Sequence, residues 1–238
     1  MEIQCMESAM KIFISFIIFF SATIMYSQEK PTLIYVMDPL CGWCYGFSPI
    51  MQKVYETYKE QVNMTVITGG MIIDEKVGPI GKVAPFLKKA TGLVKQHTGA
   101  EFSTLFLDTI LQQGTQILTS LQPSIAIQIC KKEKPDSVFS FLTALHKDIY
   151  INGLQTAEPK DYARLAQTMG FAPQSFINFV SDSKYMDAAR QDFKEAEAFG
   201  VESFPALLLK VHGGIRVISR GFVHWDQVSY TLNQELQQ

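Results

Sequence analysis

Apolar positions follow two different periods along this chain, and the switches between them divide it. The β-branched and aromatic run Thr32 to Val36 reads as a strand. From Cys41 to about Lys59 the spacing is helical, with a kink expected at Pro49. Val62 to Thr68 is again β-branched and predicts a second strand, ended by Gly69-Gly70. A strand-helix-strand unit of this length fits a right-handed crossover between parallel strands. From about Ile80 to Asp182 the period is helical but repeatedly broken by glycine and proline, which predicts a block of short helices. Stripes such as Ile125, Ala126, Ile129 and Cys130, or Phe139, Leu142, Leu145 and Ile149, suit buried helix faces. A further helix, Lys184 to Ala198, precedes the apolar strand Ala206 to Val211, a turn at His212-Gly213-Gly214, its hairpin partner Ile215 to Ser219, and a closing helix, Trp225 to Leu236.

The pattern is therefore βαβ, a long helical insertion, a helix, then ββα. It divides the chain into residues 30–78 and 184–238, which form one α/β unit, and residues 79–183, which form the insertion. With 238 residues, 47% apolar and 18% charged, the chain can bury a substantial core. Its net charge of −2, with no long basic run, argues against a nucleic-acid surface.

Ahead of the first strand, Ile12 to Ile24 is apolar, preceded by Lys11 and followed by Ser27, Gln28, Glu29 and Lys30. That length suits a secretory signal and is short for a membrane span. The reading is a signal peptide over residues 1–27, cut after Ser27 or, less well, after Ala22; an uncleaved membrane anchor is the alternative. Glu2 and Glu7 are odd in such a leader, so Met10 is an alternative start, and Cys5 would then be absent from the protein. The expected location is periplasmic or secreted. An oxidising compartment permits disulfides, yet besides Cys41 and Cys44 the mature chain would hold only Cys130. No disulfide framework is present, so the pair is expected to serve the thiols of other molecules.

Cys41 and Cys44 stand one turn apart at a predicted helix start, where two sulfurs can close a small disulfide ring. Unpaired N–H groups and the positive end of the helix dipole there favour a thiolate at Cys41. A thiol with a pKa near 8.5 is about 3% ionised at neutral pH, whereas one lowered to about 6 is roughly 90% ionised. Cys41 is the expected attacking sulfur and Cys44 the resolving one. A zinc site would need about four ligands, and neither Cys130 nor His97, His146, His212 and His224 pair suitably, so no metal is expected. Phe204-Pro205 stands directly before an apolar strand; on sequence alone its peptide bond reads as trans, the majority state.

Asp38-Pro39-Leu40-Cys41-Gly42-Trp43-Cys44-Tyr45-Gly46-Phe47, together with Ser203-Phe204-Pro205 before a hairpin, resembles the DsbA-like branch of the thioredoxin superfamily, and most closely its FrnE-related group of predicted protein-disulfide isomerases. The resemblance runs from about Leu33 to the C-terminus and implies a thioredoxin-like α/β fold with a large inserted α-helical domain. It implies that Cys41 is the nucleophile, Cys44 the resolving cysteine and Pro205 a cis-proline facing them. It also implies that Phe204 offers backbone groups to an extended substrate peptide, with Gly42 and Trp43 as further substrate contacts; Trp43 packing on the insertion is the alternative. Thioredoxin and DsbA carry a buried carboxylate six positions before the nucleophile, where this chain has Tyr35. Asp38 is the nearest acid, either a proton relay or a helix cap. Kappa-type glutathione transferases resemble the fold but have Ser at the Cys41 position, and two cysteines argue against that chemistry.

The expected function is thus an exported thiol-disulfide oxidoreductase, oxidase or isomerase. It needs no cofactor beyond its own Cys41-Cys44 couple, acts on protein or peptide thiols and disulfides, and is recycled by a separate redox partner. The alternative is a non-catalytic module that uses the groove and thiols to hold a peptide or a soft metal such as Cu(I).

Overall fold

The computed structural model describes residues 30–237. The expected leader, with Met10, Cys5 and the run Ile12 to Ile24, lies outside the described residues. Four strands form the main sheet: β1 (Thr32–Met37), β2 (Asn63–Thr68), β5 (Ala206–Val211) and β6 (Gly214–Arg220), in the order β2-β1-β5-β6. β1 pairs parallel to β2, from Thr32 opposite Asn63 to Met37 opposite Thr68, and antiparallel to β5. A bulge at Leu207 and Leu208 shifts the pairing of β5 with β6.

β1 is a central strand covered on both faces, which is why its sequence reads as an unbroken apolar run. Its side chains alternate between two cores. Leu33, Tyr35 and Met37 share one with Leu207, Leu209 and the helix α1 (Gly42–Tyr58), which contributes Cys44, Phe47, Met51 and Val54. Ile34 and Val36 share the other with Ile67, Ala206 and Leu208. α1 runs through Pro49 without ending there.

The insertion carries α2 (Ala84–Thr98), α3 (Leu121–Glu133), α4 (Val138–Tyr150), α5 (Pro159–Thr168) and α6 (Pro173–Val180). α7 (Ser183–Ala198) and α8 (Trp225–Leu236) complete the chain. Prolines at the first position of α5 and α6 lack only an N–H that would have no helical partner. The insertion is not purely helical. It is preceded and crossed by a short antiparallel ribbon, β3 (Gly78–Pro79) with β4 (Ile117–Leu118). Beyond it Gly81 N–H donates to the Gly114 carbonyl at 3.0 Å; a Cβ on Gly81 would stand 3.0 Å from that same oxygen, so only glycine fits without a shift.

One buried polar set ties the insertion to the sheet. The Asp192 carboxylate of α7 accepts from the Thr68 N–H at 3.0 Å, from Gln128 Nε2 at 2.5 Å and from Lys131 Nζ at 3.1 Å. Lys131 also donates to the Val66 carbonyl at 2.6 Å. Two outward backbone groups of the edge strand β2, the Thr68 N–H and the Val66 carbonyl, are thereby occupied by side chains, which hinders strand addition at that end. Among the described residues no helix is long and apolar enough to cross a membrane.

Candidate active site at the start of the first helix

The approach from β1 to α1 is held by Asp38, which is fully buried. Its Oδ1 accepts from the Leu40 N–H at 2.9 Å and the Ser120 hydroxyl at 3.0 Å, and its Oδ2 accepts from the Met71 N–H at 2.7 Å. The sequence left this residue between a relay and a helix cap, and the cap is ruled out. Cys41, extended at φ −85° and ψ 112°, is the N-cap of α1, and no side chain caps that helix. Asp38 is consumed instead by the loop after β2 and by the start of α3. Burial pushes its carboxyl up from the ordinary range, against the opposing hydrogen bonds from Met71, Leu40 and Ser120.

With no capping side chain and no carboxylate in the first turn, the N–H groups at the helix start are left to act on Cys41. Cys41 is 8% exposed and Cys44 fully buried, and neither forms a disulfide, so the site is in its dithiol form. The Cys41 thiol lies 3.5 Å from the Phe204 carbonyl and donates to it. The Cys41 pKa is lowered: the Cys44 thiol donating to its sulfur is the largest cause, and the N–H groups of Cys44 and Trp43 add to it, against burial and the Asp38 charge. Cys44 is pushed well above the ordinary thiol value by burial, then by its interactions with Cys41.

Opposite the sulfurs the Phe204-Pro205 bond is cis, not the trans form that sequence alone favours. The Pro205 carbonyl accepts from the Gly221 N–H at 2.8 Å, which fixes this turn to the end of β6. The half-buried Phe204 ring lies across Gly69, where a Cβ would fall 1.9 Å from its Cζ. Gly69, which the sequence presents only as a strand terminator, is thus what lets Phe204 settle beside the thiols.

Of the other expected contacts, Gly42 is partly exposed and packs near Val94 and Phe102 of the insertion, 3.5 and 4.0 Å from an added Cβ. Trp43 is partly exposed as well, its ring 5.9 Å from that of His97 and 6.3 Å from that of Phe222. It therefore packs against both the insertion and the turn after β6 while keeping an outer surface. Cys130 is buried in α3, its thiol pushed up to about 12 by burial.

Sequence reasoning missed the groups the insertion sends to this site. Tyr150 of α4 donates to the Leu40 carbonyl at 2.7 Å and stacks on Tyr45 with ring centroids 5.0 Å apart. His146, fully buried, meets the Ser48 hydroxyl through Nδ1 at 2.7 Å, and burial lowers its pKa to about 3, so it is neutral. Ser48 also reaches the Cys44 carbonyl at 3.1 Å. In the sequence Tyr150 and His146 merely continue an amphipathic stripe; only their polarity at core positions hints at a role. Among the described residues no three His, Cys, Asp or Glu side chains gather as a metal site would require.

A helix-start dithiol with the outer thiol's pKa lowered and the inner one's raised, facing a cis-proline turn across a thioredoxin-like sheet, defines the class: a thiol-disulfide oxidoreductase fold carrying a helical insertion. The sequence matches the DSBA-like thioredoxin domain family over residues 32–233, and the chain belongs to that family. Similar solved structures include a candidate protein disulfide isomerase from Nitrosomonas europaea (TM-score 0.77, 23% identity, covering 88% of this chain and 98% of that one). They also include the cytosolic disulfide reductase DsbM from Pseudomonas aeruginosa (TM-score 0.74, 22% identity, covering 87% and 98%), which has been solved with GSH as well. Among curated proteins, the ClpXP adapter protein SpxH of Halalkalibacterium halodurans is 22% identical over 185 residues. That match takes in 76% of this chain, which spans 59% of the adapter's length.

Proposed function

We propose that the protein is an exported thiol-disulfide oxidoreductase that exchanges disulfides with protein substrates through Cys41 and Cys44. The observation that carries this reading is the asymmetry of the two thiols: Cys41 lowered and set against the Phe204 carbonyl, Cys44 raised and buried. The Cys41 thiolate attacks a substrate disulfide, forms a mixed disulfide and releases one substrate thiolate. Cys44 then attacks the Cys41 sulfur, the Cys41-substrate bond breaks, and the second substrate sulfur leaves with the electron pair and takes up the proton Cys44 gave up. The reverse sequence installs a disulfide. Phe204 beside Pro205 offers its backbone to an extended peptide, with Gly42 and Trp43 flanking the groove. The apolar run Ile12 to Ile24 supports export to the periplasm or beyond.

The test is equilibration of the couple against glutathione, read by thiol alkylation and mass spectrometry, with the native N-terminus sequenced from the same sample. A single two-electron transition is expected. A potential of about −120 mV marks a dithiol oxidase, whereas about −270 mV marks a reductase or an isomerase kept reduced by a partner. Cys41→Ser is expected to abolish insulin reduction and refolding activity, and Cys44→Ser to trap mixed disulfides; full activity in Cys41→Ser would overturn the reading. A second reading, reduction of small disulfides with GSH as returning thiol, is favoured by the DsbM structure solved with GSH. It predicts an uncleaved N-terminus and faster turnover with small disulfides than with proteins. A chain that never forms the disulfide but retains Cu(I) stoichiometrically would instead be a binding module.

A further inference from the structure

Tyr35 is the least explained polar group in the core. It lies in the middle of β1, on the face that carries Leu33 and Met37 toward α1, and it is 2% exposed. Its ring is 6.0 Å from that of Phe47, which stands three residues after Cys44 on the buried stripe of α1. Its hydroxyl is sealed from solvent and meets no hydrogen-bond partner. An unsatisfied buried hydroxyl is destabilising, a cost that a phenylalanine of the same shape would avoid. The groups that act on this oxygen are the two thiols, Cys44 ahead of Cys41.

A neutral Cys44 thiol is a poor acceptor, so the hydroxyl stands unpaired in the dithiol state. That changes once Cys44 loses its proton, because a buried thiolate needs donors: the Asp38 backbone is one, and the Tyr35 hydroxyl is a second that nothing else occupies.

We propose that the Tyr35 hydroxyl is the hydrogen-bond donor that stabilises the Cys44 thiolate as it attacks Cys41, so that this residue governs the resolving half of the exchange. The inference rests on the exchange reading above. The phenol keeps its proton throughout, since burial holds its pKa well above the ordinary value. The new S–S bond joins Cys44 to Cys41, the Cys41-substrate bond breaks, and the departing substrate sulfur takes the Cys44 proton. The hydrogen bond exists only while Cys44 carries charge, so it lowers the barrier without stabilising the ground state.

The experiment is Tyr35→Phe in the full-length protein. Formation of the mixed disulfide is measured in a Cys44→Ser background, and its resolution by single-turnover quench with Cys44 present, both as functions of pH. Formation is expected to stay within about twofold, while resolution slows about tenfold or more. The pH at which resolution reaches half its maximum is expected to move up, which loss of packing alone would not produce. Stability in urea is expected to be unchanged or raised, because no native hydrogen bond is lost. Resolution at the wild-type rate would overturn the proposal, as would equal slowing of both steps or a marked loss of stability. If the wild-type protein forms no mixed disulfide at all, it is the exchange reading that fails.

Discussion

Gly69→Ala places the most informative single methyl group in this structure. An added Cβ would lie 1.9 Å from Cζ, 2.2 Å from Cε1 and 2.7 Å from Cε2 of Phe204. Non-bonded carbons rest at about 3.5–4.0 Å, so the ring must retreat by roughly 1.5 Å or more. Phe204 is half-buried and has somewhere to go, which keeps the expected loss of stability to the overpacking range of about 1–3 kcal/mol. Function should suffer more than stability, because the Phe204 carbonyl receives the Cys41 thiol hydrogen and its backbone borders the groove. Urea unfolding reads the first effect. The second is read by the second-order rate of exchange with a protein disulfide compared with that for a small aromatic disulfide that needs no groove. The protein-substrate rate should fall about tenfold, the scale of a lost positioning contact, with the small-disulfide rate held within about threefold. Gly92→Ala is the control: nothing lies within 4 Å of its added Cβ in α2, and helix propensity predicts stabilisation of about 0.5–1 kcal/mol. Wild-type stability and exchange in Gly69→Ala would refute the placement of Phe204 across Gly69 and the role given to it.

Other substitutions test the surrounding polar network. Asp38→Asn removes a charge that opposes ionisation of both cysteines, so the thiolate absorbance near 240 nm should appear at lower pH, while an amide facing the Met71 N–H destabilises the loop; an unchanged titration would contradict this. His146 has a native pKa of about 3 against about 6.5 unfolded, so the unfolded chain binds the extra proton between those values. Its contribution is complete above about pH 6.5 and is lost as pH falls toward 3, on the order of 5 kcal/mol, and His146→Gln should flatten that acid loss in urea titrations. Asp38 works the other way, since its raised carboxyl pKa favours the native state as pH falls. Lys131→Met leaves the Asp192 carboxylate without its cation and should cost about 2 kcal/mol, less than a fully buried pair because Lys131 is 22% exposed; urea unfolding measures it.

Much of the fold was legible because each element carries a local signal. Trp225 to Leu236 was expected as a helix and is one, and the strands from Thr32, Val62 and Ala206 start within a residue of the bounds their β-branched and apolar runs suggest. The β3-β4 ribbon was not legible, since two residues ending in a Gly-Pro pair give no period to read. The Leu105–Ile110 stretch winds as a π-helix that no apolar spacing distinguishes from an α-helix. At the site, Cys41, Cys44 and Pro205 could be named from spacing and motif. Ser120, His146 and Tyr150 could not, because they reach the helix start from 80 to 110 residues away and only tertiary packing brings them there. Asp38 was visible as an acid before a helix, but local sequence suggested a cap, while its partners lie in the loop after β2 and at the start of α3.

The measurement that bears most directly on the central claim is alkylation of the reduced protein by iodoacetamide across pH 5 to 9.5, with the rate at each cysteine read by peptide mass spectrometry. The account predicts that Cys41 reacts alone, with a midpoint below the ordinary thiol value, while Cys44 and Cys130 stay protected until the protein unfolds. A Cys44 that reacts as readily as Cys41, or a Cys41 that titrates like a free thiol, would contradict it.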